Sequence, residues 1–219
     1  MDREAGREDG RLTNDEGKEG QNMDAIEAVM TRRSTRRFRD REVPEELLRQ
    51  VIEAGRAAPS GGNNQTTHFL VIRNRDILSR LAAMTEKAFA AMEITENTYK
   101  STVHSILASR KGGYIFHYNA PVLILTANRI GYGNAIADCV SALENMMIAA
   151  NALDLGSCYI NQLKWLNENE EINAYLGTLG LENNERVWAA VALGYADSDD
   201  GLPSRNPLPR TGNPVTYID

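Results

Sequence analysis

The segment "NAIADCVSALENMMIAANALDLG", residues 134–156, is nearly all apolar. Almost every position carries an apolar or small residue, and the charged residues in it are Asp138, Glu144 and Asp154. A helix that is apolar all round needs burial on all sides. We therefore predict a helix over residues 134–156, ended by Gly156, that runs through a core or an interface.

Apolar strands flank this helix along the chain. "APVLILTAN" (120–128) precedes it and "RVWAAVALGYAD" (186–197) follows it, while "HFLVIR" (68–73) and "SCYINQL" (157–163) are predicted as shorter strands. The spacing of apolar residues predicts further helices within residues 23–33, 43–60, 76–93, 98–111 and 167–177. Helices that alternate with a few strands indicate an α+β or α/β sandwich.

The two ends of the chain differ from its middle. Residues 1–22 contain one large aliphatic residue, Leu12, among glycines and charges. Such a segment cannot bury enough apolar surface to offset the entropy cost of ordering, so we expect it to be disordered. Met23 is then an alternative start, and residues 23–219 form a single domain. A Pro-rich segment, residues 201–219, closes the chain.

Composition excludes several classes of protein. The chain has 219 residues, a formal net charge of -6 and a pI near 5.2, which is a poor match for nucleic acid. No apolar run approaches the roughly 18 residues of a membrane span, and the N-terminus lacks the apolar core of a signal peptide. Cys139 and Cys158 form neither a disulfide framework nor a CxxC pair. We expect a cytoplasmic location and no nucleic-acid or membrane partner.

The sequence also lacks the usual signatures of side-chain catalysis. It contains no GxxxxGK[ST], no GxGxxG after a strand and no HExxH. The three histidines do not form a metal-binding spacing, and Ser60 does not lie in a GxSxG elbow. If the protein is an enzyme, we expect no catalytic side chain and no metal, and a bound cofactor would have to supply the chemistry.

Arginine is concentrated in one short segment. Six of the eleven residues of "TRRSTRRFRDR", residues 31–41, are arginines, although the whole chain has only 24 basic residues. Guanidinium groups match phosphate oxygens in pairs, and the hydroxyls of Ser34 and Thr35 add donors. This arginine segment is therefore a candidate phosphate site. The alternative is a solvated basic turn that makes surface ion pairs.

A second segment, "APSGGNNQ" at residues 58–65, combines backbone freedom with side-chain amides. Gly61 and Gly62 allow the backbone to approach a ligand closely, and Asn63, Asn64 and Gln65 offer paired donors and acceptors. That set suits the polar edge of a flat heterocycle. The alternative interpretation of this asparagine loop is an ordinary turn between a helix and a strand.

The ordered motifs resemble the nitroreductase family of FMN-dependent oxidoreductases. They are "RRSTRRF" (32–38), "PEELLRQVIEAGRAAPSGGNNQ" (44–65), "APVLIL" (120–125), "ENMMIAANALDLGSCYI" (144–160), "VALGY" (191–195) and "RNPL" (205–208). Two departures stand out. The family usually has Gln-Pro-Trp where this chain has Gln65-Thr66-Thr67, and the basic flavin contact before the "APV" strand has no clear counterpart, Lys111 being the nearest base.

The resemblance implies a set of flavin-binding residues. The segment that binds the ribityl phosphate is matched by Arg32, Arg33, Ser34 and Arg36, and the loop that reaches the flavin of the partner subunit is matched by Pro59, Ser60 and Asn63. The turn whose backbone N–H groups lie near flavin N5 and O4 is matched by Asn161 and Gln162. The basic residues that approach the phosphate from the C-terminus are matched by Arg205 and Arg210. The remaining arginines of the segment, Arg37, Arg39 and Arg41, are expected on the surface.

The resemblance also implies an architecture and an activity. The expected fold is an α+β three-layer sandwich with a small, mostly antiparallel central sheet, in an intertwined homodimer that binds two FMN molecules at its interface. Residues 134–156 would form the dimer core, and the C-terminal segment would wrap the partner.

NADH or NADPH would pass hydride to flavin N5, and a nitroaromatic, quinone or related acceptor would then take it in a ping-pong reaction. The alternatives are a flavin carrier or sensor with little turnover, or a specialised reaction such as dehalogenation or flavin fragmentation.

Other residues are weaker candidates. Cys158 and Cys139 are expected to pack in the core. An aromatic set either lines a substrate pocket or caps the core, and its members are Tyr114, Phe116, His117, Tyr118 and Tyr132. Phe89 and Tyr99 lie in the region that often forms a mobile helical lid in the family.

Overall fold

A four-stranded antiparallel sheet forms the centre of the molecule. The computed structural model describes residues 23–219, so the prediction of a disordered segment at residues 1–22 lies outside the described residues. The strands are β1 (His68–Ile72), β2 (Val122–Arg129), β3 (Gly156–Ile160) and β4 (Glu185–Gly194), in the order β1-β2-β4-β3. Every neighbouring pair is antiparallel, as the resemblance implied.

Helices cover both faces of this sheet. They are α1 (Ala25–Thr31), α2 (Glu45–Arg56), α3 (Arg75–Ala91), α4 (Lys100–Lys111), α5 (Ala135–Ala152), α6 (Gln162–Trp165) and α7 (Glu170–Thr178). Alternation along β2 separates two cores, because successive side chains of a strand point to opposite faces. Val122 and Ile124 pack with α2 and α5, whereas Leu123 and Leu125 pack with α3, α4, α6 and α7. The predicted α+β three-layer sandwich is confirmed.

The long apolar helix ends earlier than its sequence suggested. The prediction that Gly156 stops the helix is wrong, because α5 ends at Ala152 and Gly156 is the first residue of β3. Asp154, with φ of 59°, makes the turn instead. Gly156 is required for a different reason: a Cβ there would lie 2.7 Å from Oγ1 of Thr35.

One chain does not cover α5 completely. Its sheet-facing residues, such as Leu143 and Met146, are fully buried, but Ile136 is 44% exposed. On the neighbouring α1, Ile26 and Met30 are also exposed. Within residues 23–219, these apolar residues leave part of the helical layer uncovered. Among the described residues, no helix combines the length and apolar character that crossing a membrane would require.

Candidate functional site

The arginine segment is fixed by its backbone. Ser34 forms an isolated bridge with Ser157 of β3, in which the Thr35 N–H donates to the Ser157 carbonyl at 2.8 Å. Further along, Phe38 forms a second bridge with Ala196, which follows β4. The segment thus runs beside the sheet edge, where its backbone is held while its polar side chains project outward. Ser34 and Arg36 are exposed.

The arginine side chains of this segment are only partly paired. Arg32 Nε lies 3.3 Å from a carboxylate oxygen of Glu144, and Arg33 donates to the carbonyl oxygen of Asn206 at 2.7 Å. Arg36 lies beside Tyr118, with its guanidinium carbon 6.0 Å from the ring centre. Within residues 23–219, Arg36 has no hydrogen-bond acceptor. The segment therefore presents more guanidinium donors than local acceptors.

Cys158 lies beneath these arginines. Burial raises the pKa of its thiol, whereas the positive charge of Arg36, the hydroxyl of Ser34 and the charge of Arg32 oppose that increase. Arg32 and Arg36, which lie on either side of Ser34, therefore both oppose the increase in the pKa of one residue of β3, Cys158. The prediction that Cys158 and Cys139 belong to the core is confirmed, since both are buried and free. Burial raises the pKa of Cys139 to about 12.

The turn after β3 carries a chain of side-chain hydrogen bonds. The predicted strand over residues 157–163 ends at Ile160, and Gln162 begins the single-turn helix α6. The Asn161 N–H donates to Gln162 Oε1 at 3.1 Å, and Gln162 Nε2 donates to the Tyr114 hydroxyl at 2.8 Å. That hydroxyl lies 3.0 Å from the Ser105 hydroxyl of α4. The turn is therefore linked to the helical layer above it, and burial raises the pKa of Tyr114.

Most of the aromatic candidates lie in the core or pack against it. Phe116 and His117 are buried, while Tyr114 and Tyr118 are half-buried beside Gln162 and Arg36. Phe89, in the region expected to form a lid, is fully buried against Tyr114 and Trp165, and the lid remains a prediction. Tyr99 is 66% exposed, and its ring meets Trp165 edge to face at 5.9 Å.

The two C-terminal arginines behave differently. Arg205 Nη2 donates to the carbonyl oxygen of Asn151 and to the Asp154 carboxylate, both at 2.6 Å, so this side chain is anchored at the end of α5. Asn151 in turn donates to the Thr31 hydroxyl, which places Arg205 next to the arginine segment. Arg210 is exposed.

The surface assignment of three arginines needs one correction. Arg37 and Arg41 are exposed, and Arg41 stacks on the Tyr195 ring. Arg39 is half-buried and donates to the carbonyl oxygens of Ser198 and Asp199, so it holds the loop after β4. Its role follows from tertiary contacts 160 residues away in sequence, which composition does not reveal.

The asparagine loop contacts the other end of α5. The Gly61 N–H donates to Asp138 Oδ1 at 3.0 Å, and Asp138 belongs to the first turn of α5. Pro59 and Asn63 are exposed. Since Asp138 and Asn151 lie about 20 Å apart along the helix axis at 1.5 Å per residue, one chain keeps the loop away from Arg205. Asp138 was not among the predicted site residues, although a carboxylate at the start of an apolar helix was a signal for it.

A comparison with known families decides the identity of this fold. The model of the nitroreductase family matches residues 29–195. The chain belongs to the nitroreductase family. It is 39% identical, over 86% of its length and 94% of the relative, to an NADH dehydrogenase from Thermus thermophilus. It also resembles the crystal structure of a nitroreductase with bound FMN from Bacteroides fragilis, with 31% identity, a TM-score of 0.78, and coverage of 90% of this chain and 100% of that one.

The donor set of this nitroreductase family member fits the phosphate of FMN. Arg32, Arg33 and Arg36 supply guanidinium groups, Ser34 supplies a hydroxyl, and the exposed Arg36 lacks an acceptor within the described part of the chain. Guanidinium donors that exceed local acceptors suit a phosphate ester. The described residues contain no cluster that could hold a metal ion.

Proposed function

We propose that this protein is an FMN-dependent oxidoreductase that uses NADH or NADPH to reduce nitroaromatics, quinones or related acceptors. The single observation that carries the proposal is the juxtaposition of the arginine segment and the turn after β3. Ser34 is bridged to Ser157 of β3, with the Thr35 N–H donating to the Ser157 carbonyl oxygen at 2.8 Å, and Asn161 directly follows the last residue of that strand, Ile160. The candidate phosphate-binding segment and the turn expected to meet a flavin ring therefore lie along the same strand, β3.

The residues of the chain would bind and orient the cofactor. Arg32, Arg33, Ser34 and Arg36 would hold the phosphate, with Arg205 and Arg210 approaching from the C-terminal segment. Asn161 and Gln162 would position their backbone N–H groups against the ring, the Asn161 N–H exchanging its bond to Gln162 Oε1 for one to the flavin. Bound FMN would supply the redox chemistry, accepting hydride at N5 from the nicotinamide and returning it to the acceptor. No side chain is proposed as a general base.

The site as one chain presents it is open on one side. Pro59, Ser60 and Asn63 lie near the first turn of α5, so they would complete the site of a second copy. The exposed apolar residues Ile26, Met30 and Ile136 support a homodimer, since they would gain burial at an interface. The exposed C-terminal segment, including Tyr217 and Ile218, would then wrap the partner.

An aromatic surface beside the turn supports an aromatic acceptor. Trp165 is the last residue of α6, three positions after Gln162, and Tyr99 packs against its ring. Aromatic rings favour offset or edge-to-face contact with other flat rings. A nitroaromatic or quinone of one or two rings would therefore pack against the rings of Trp165 and Tyr99.

Three measurements test the proposal. Apoprotein titrated with FMN should quench flavin fluorescence at one site per chain, and light scattering should give the mass of a dimer. The holoprotein should oxidise NADH or NADPH in the presence of a nitroaromatic or quinone. Since donor and acceptor would use one site in turn, double-reciprocal plots should give parallel lines. Intersecting lines would reject the shared site.

The alternatives give other results. A carrier or sensor would bind FMN without steady-state oxidation of NAD(P)H. A dehalogenase would release halide from a halogenated aromatic but leave nitroaromatics unreduced, and a flavin-fragmenting enzyme would consume FMN itself. A chain that fails to bind FMN at all would reject every one of these activities.

A further inference from the structure

A buried carboxylate holds the asparagine loop in place. Asp138 is 5% exposed, and both of its oxygens are used: Oδ1 accepts the Gly61 N–H at 3.0 Å and Oδ2 accepts the Tyr132 hydroxyl at 3.0 Å. The Tyr132 hydroxyl also lies 3.2 Å from the Gly61 carbonyl oxygen. Asp138 therefore contacts the N–H of Gly61, and Tyr132 contacts its carbonyl oxygen.

Two side chains lie close to the backbone of Gly61. A Cβ on Gly61 would lie 1.9 Å from Asn134 Nδ2 and 2.7 Å from the Tyr132 hydroxyl. The turn that joins β2 to α5, which contains Tyr132 and Asn134, thus packs against the loop backbone through these side chains. A larger residue at position 61 would displace them.

The loop needs this support because its backbone is strained. Gly62, Asn63 and Gln65 all have φ between 51° and 60°, and left-handed conformations are unfavourable for a residue such as Gln. Inside the loop, Ser60 Oγ accepts the Gln65 N–H at 3.0 Å. These local bonds shape the loop, whereas Asp138 is the group that ties it to the body of the protein.

The same helix also holds the arginine segment. Glu144 of α5 pairs with Arg32, and Asn151 donates to the Ala28 carbonyl oxygen and the Thr31 hydroxyl at the start of that segment. Asn145 adds a bond to the carbonyl oxygen of Ala54 in α2, close to the asparagine loop. Helix α5 is therefore the common support of both segments that are expected to contact flavin.

We propose that Asp138 and Tyr132 are positioning residues for flavin binding: they fix the asparagine loop on α5 in the conformation in which Pro59, Ser60 and Asn63 contact the flavin of the partner subunit. This inference rests on the proposed function. It assigns a role to two residues that touch neither the phosphate nor the turn after β3. Their effect reaches the flavin through the Gly61 peptide groups.

A graded set of substitutions at one position tests the inference. Asp138→Ala removes both acceptors, and the FMN dissociation constant should rise about 10-fold or more, the scale of one charge-assisted hydrogen bond. Asp138→Asn keeps an acceptor for the Gly61 N–H, and its amide can donate to the Tyr132 hydroxyl. Because that hydroxyl can then donate to the Gly61 carbonyl oxygen, Asp138→Asn should restore binding to within about 3-fold of the original.

Hydrogen exchange on the full-length apoprotein gives a readout that is independent of flavin. In Asp138→Ala, amides of residues 60–65 should exchange faster while those in the second half of α5 stay protected. Tyr132→Phe should accelerate loop exchange less, because it leaves the bond between Gly61 and Asp138 intact. It also provides a test if Asp138→Ala folds poorly.

The matched control is Asp76→Ala, which removes another first-turn carboxylate from an exposed helix start, that of α3. It should change neither loop exchange nor the FMN dissociation constant. Unchanged loop exchange in both Asp138→Ala and Tyr132→Phe would overturn the inference, and so would faster exchange with unchanged flavin affinity. Failure of the unsubstituted protein to bind FMN would instead reject the proposed function, whatever the exchange result.

Discussion

The arginine segment and the asparagine loop are held by opposite means. The arginine segment is fixed by backbone bonds to Ser157 and Tyr195, and among the described residues the Arg36 and Arg37 side chains have no hydrogen-bond acceptor and are left free. The asparagine loop has a strained backbone that is fixed by a side chain from elsewhere, Asp138. The arginine segment should therefore keep its conformation when side chains that do not bind the ligand are changed. The conformation of the asparagine loop depends instead on Asp138, which is distant in sequence.

The largest effect is expected from Arg36→Ala, which tests whether the free side chains bind a ligand. Arg36 should form charge-assisted bonds to FMN, each worth about 1.5 to 3 kcal/mol, so its removal should weaken binding about 10- to 150-fold. Arg37→Ala is the matched control, because Arg37 is exposed and, in the part of the chain that the structure describes, it contributes a hydrogen bond through its backbone carbonyl alone. Its effect should be below about 1 kcal/mol. Titration of each apoprotein with FMN measures both.

Equal losses for the two variants would return the arginine segment to the alternative interpretation of a basic surface turn. Arg39→Ala is a poor control for this purpose. Its side chain holds the loop at residues 198 and 199, so the variant would lose structure as well as charge.

A second prediction tests the backbone of the arginine segment. In Gly156→Ala the new methyl group would lie 2.7 to 2.9 Å from three side-chain atoms of Thr35, including its Cβ. Thr35 is β-branched and its Cβ cannot move without its backbone, so the segment should shift at a cost of about 1 to 3 kcal/mol in unfolding free energy. FMN affinity should fall with it. Chemical denaturation and flavin titration measure the two effects.

A second substitution should relieve the clash. Thr35→Gly removes all three atoms, so the double variant Gly156→Ala/Thr35→Gly should recover flavin affinity relative to Gly156→Ala alone. If the double variant were as weak as the sum of the two single changes, steric pressure on the arginine segment would not be the cause.

The sequence predicted the arginine segment better than it predicted the contacts that hold the asparagine loop. Composition alone identified the arginine segment, and apolar patterning placed all four strands and the long helices. Asp138 and Arg39 were missed because their roles depend on partners 77 and 160 residues distant in sequence. Gly156 was misassigned because a glycine that ends a helix and one that makes room for Thr35 look alike in sequence.

A third prediction concerns the core beside the arginine segment. Burial lowers the pKa of His117 below its ordinary 6.5. Above pH 6.5 the imidazole is neutral in both states, but below it the unfolded chain takes up a proton that the folded chain excludes. Folding stability should therefore fall as the pH drops from 6.5 towards the folded pKa. His117→Gln should reduce this slope between pH 7 and 5, as measured by denaturation of the apoprotein.

His68 and His104 are unchanged in that variant, so the difference between the two slopes reports on His117. A slope identical to that of the unsubstituted protein would show that His117 does not titrate in this range. The effect should be smaller than that of Gly156→Ala, because no atoms are forced together.

The smallest effect is expected from removing residues 1–22. Their composition predicts no core of their own, whereas Met23 belongs to the fold: its sulfur lies 3.9 Å from the Thr31 hydroxyl and 3.8 Å from Asn151 Nδ2, next to the group that anchors Arg205. A chain that begins at Met23 should keep its FMN affinity and melt within about 4 °C of the full chain.

The sharper comparison is Asp24→Ala, which removes the N-cap of α1, where Asp24 Oδ1 accepts the Glu27 N–H at 2.8 Å. That change should cost about 0.5 to 2 kcal/mol and exceed the effect of the truncation. If the truncation were the more damaging of the two, residues 1–22 would have to pack against the domain, and the arginine segment that follows α1 would be the first place to look for the contact.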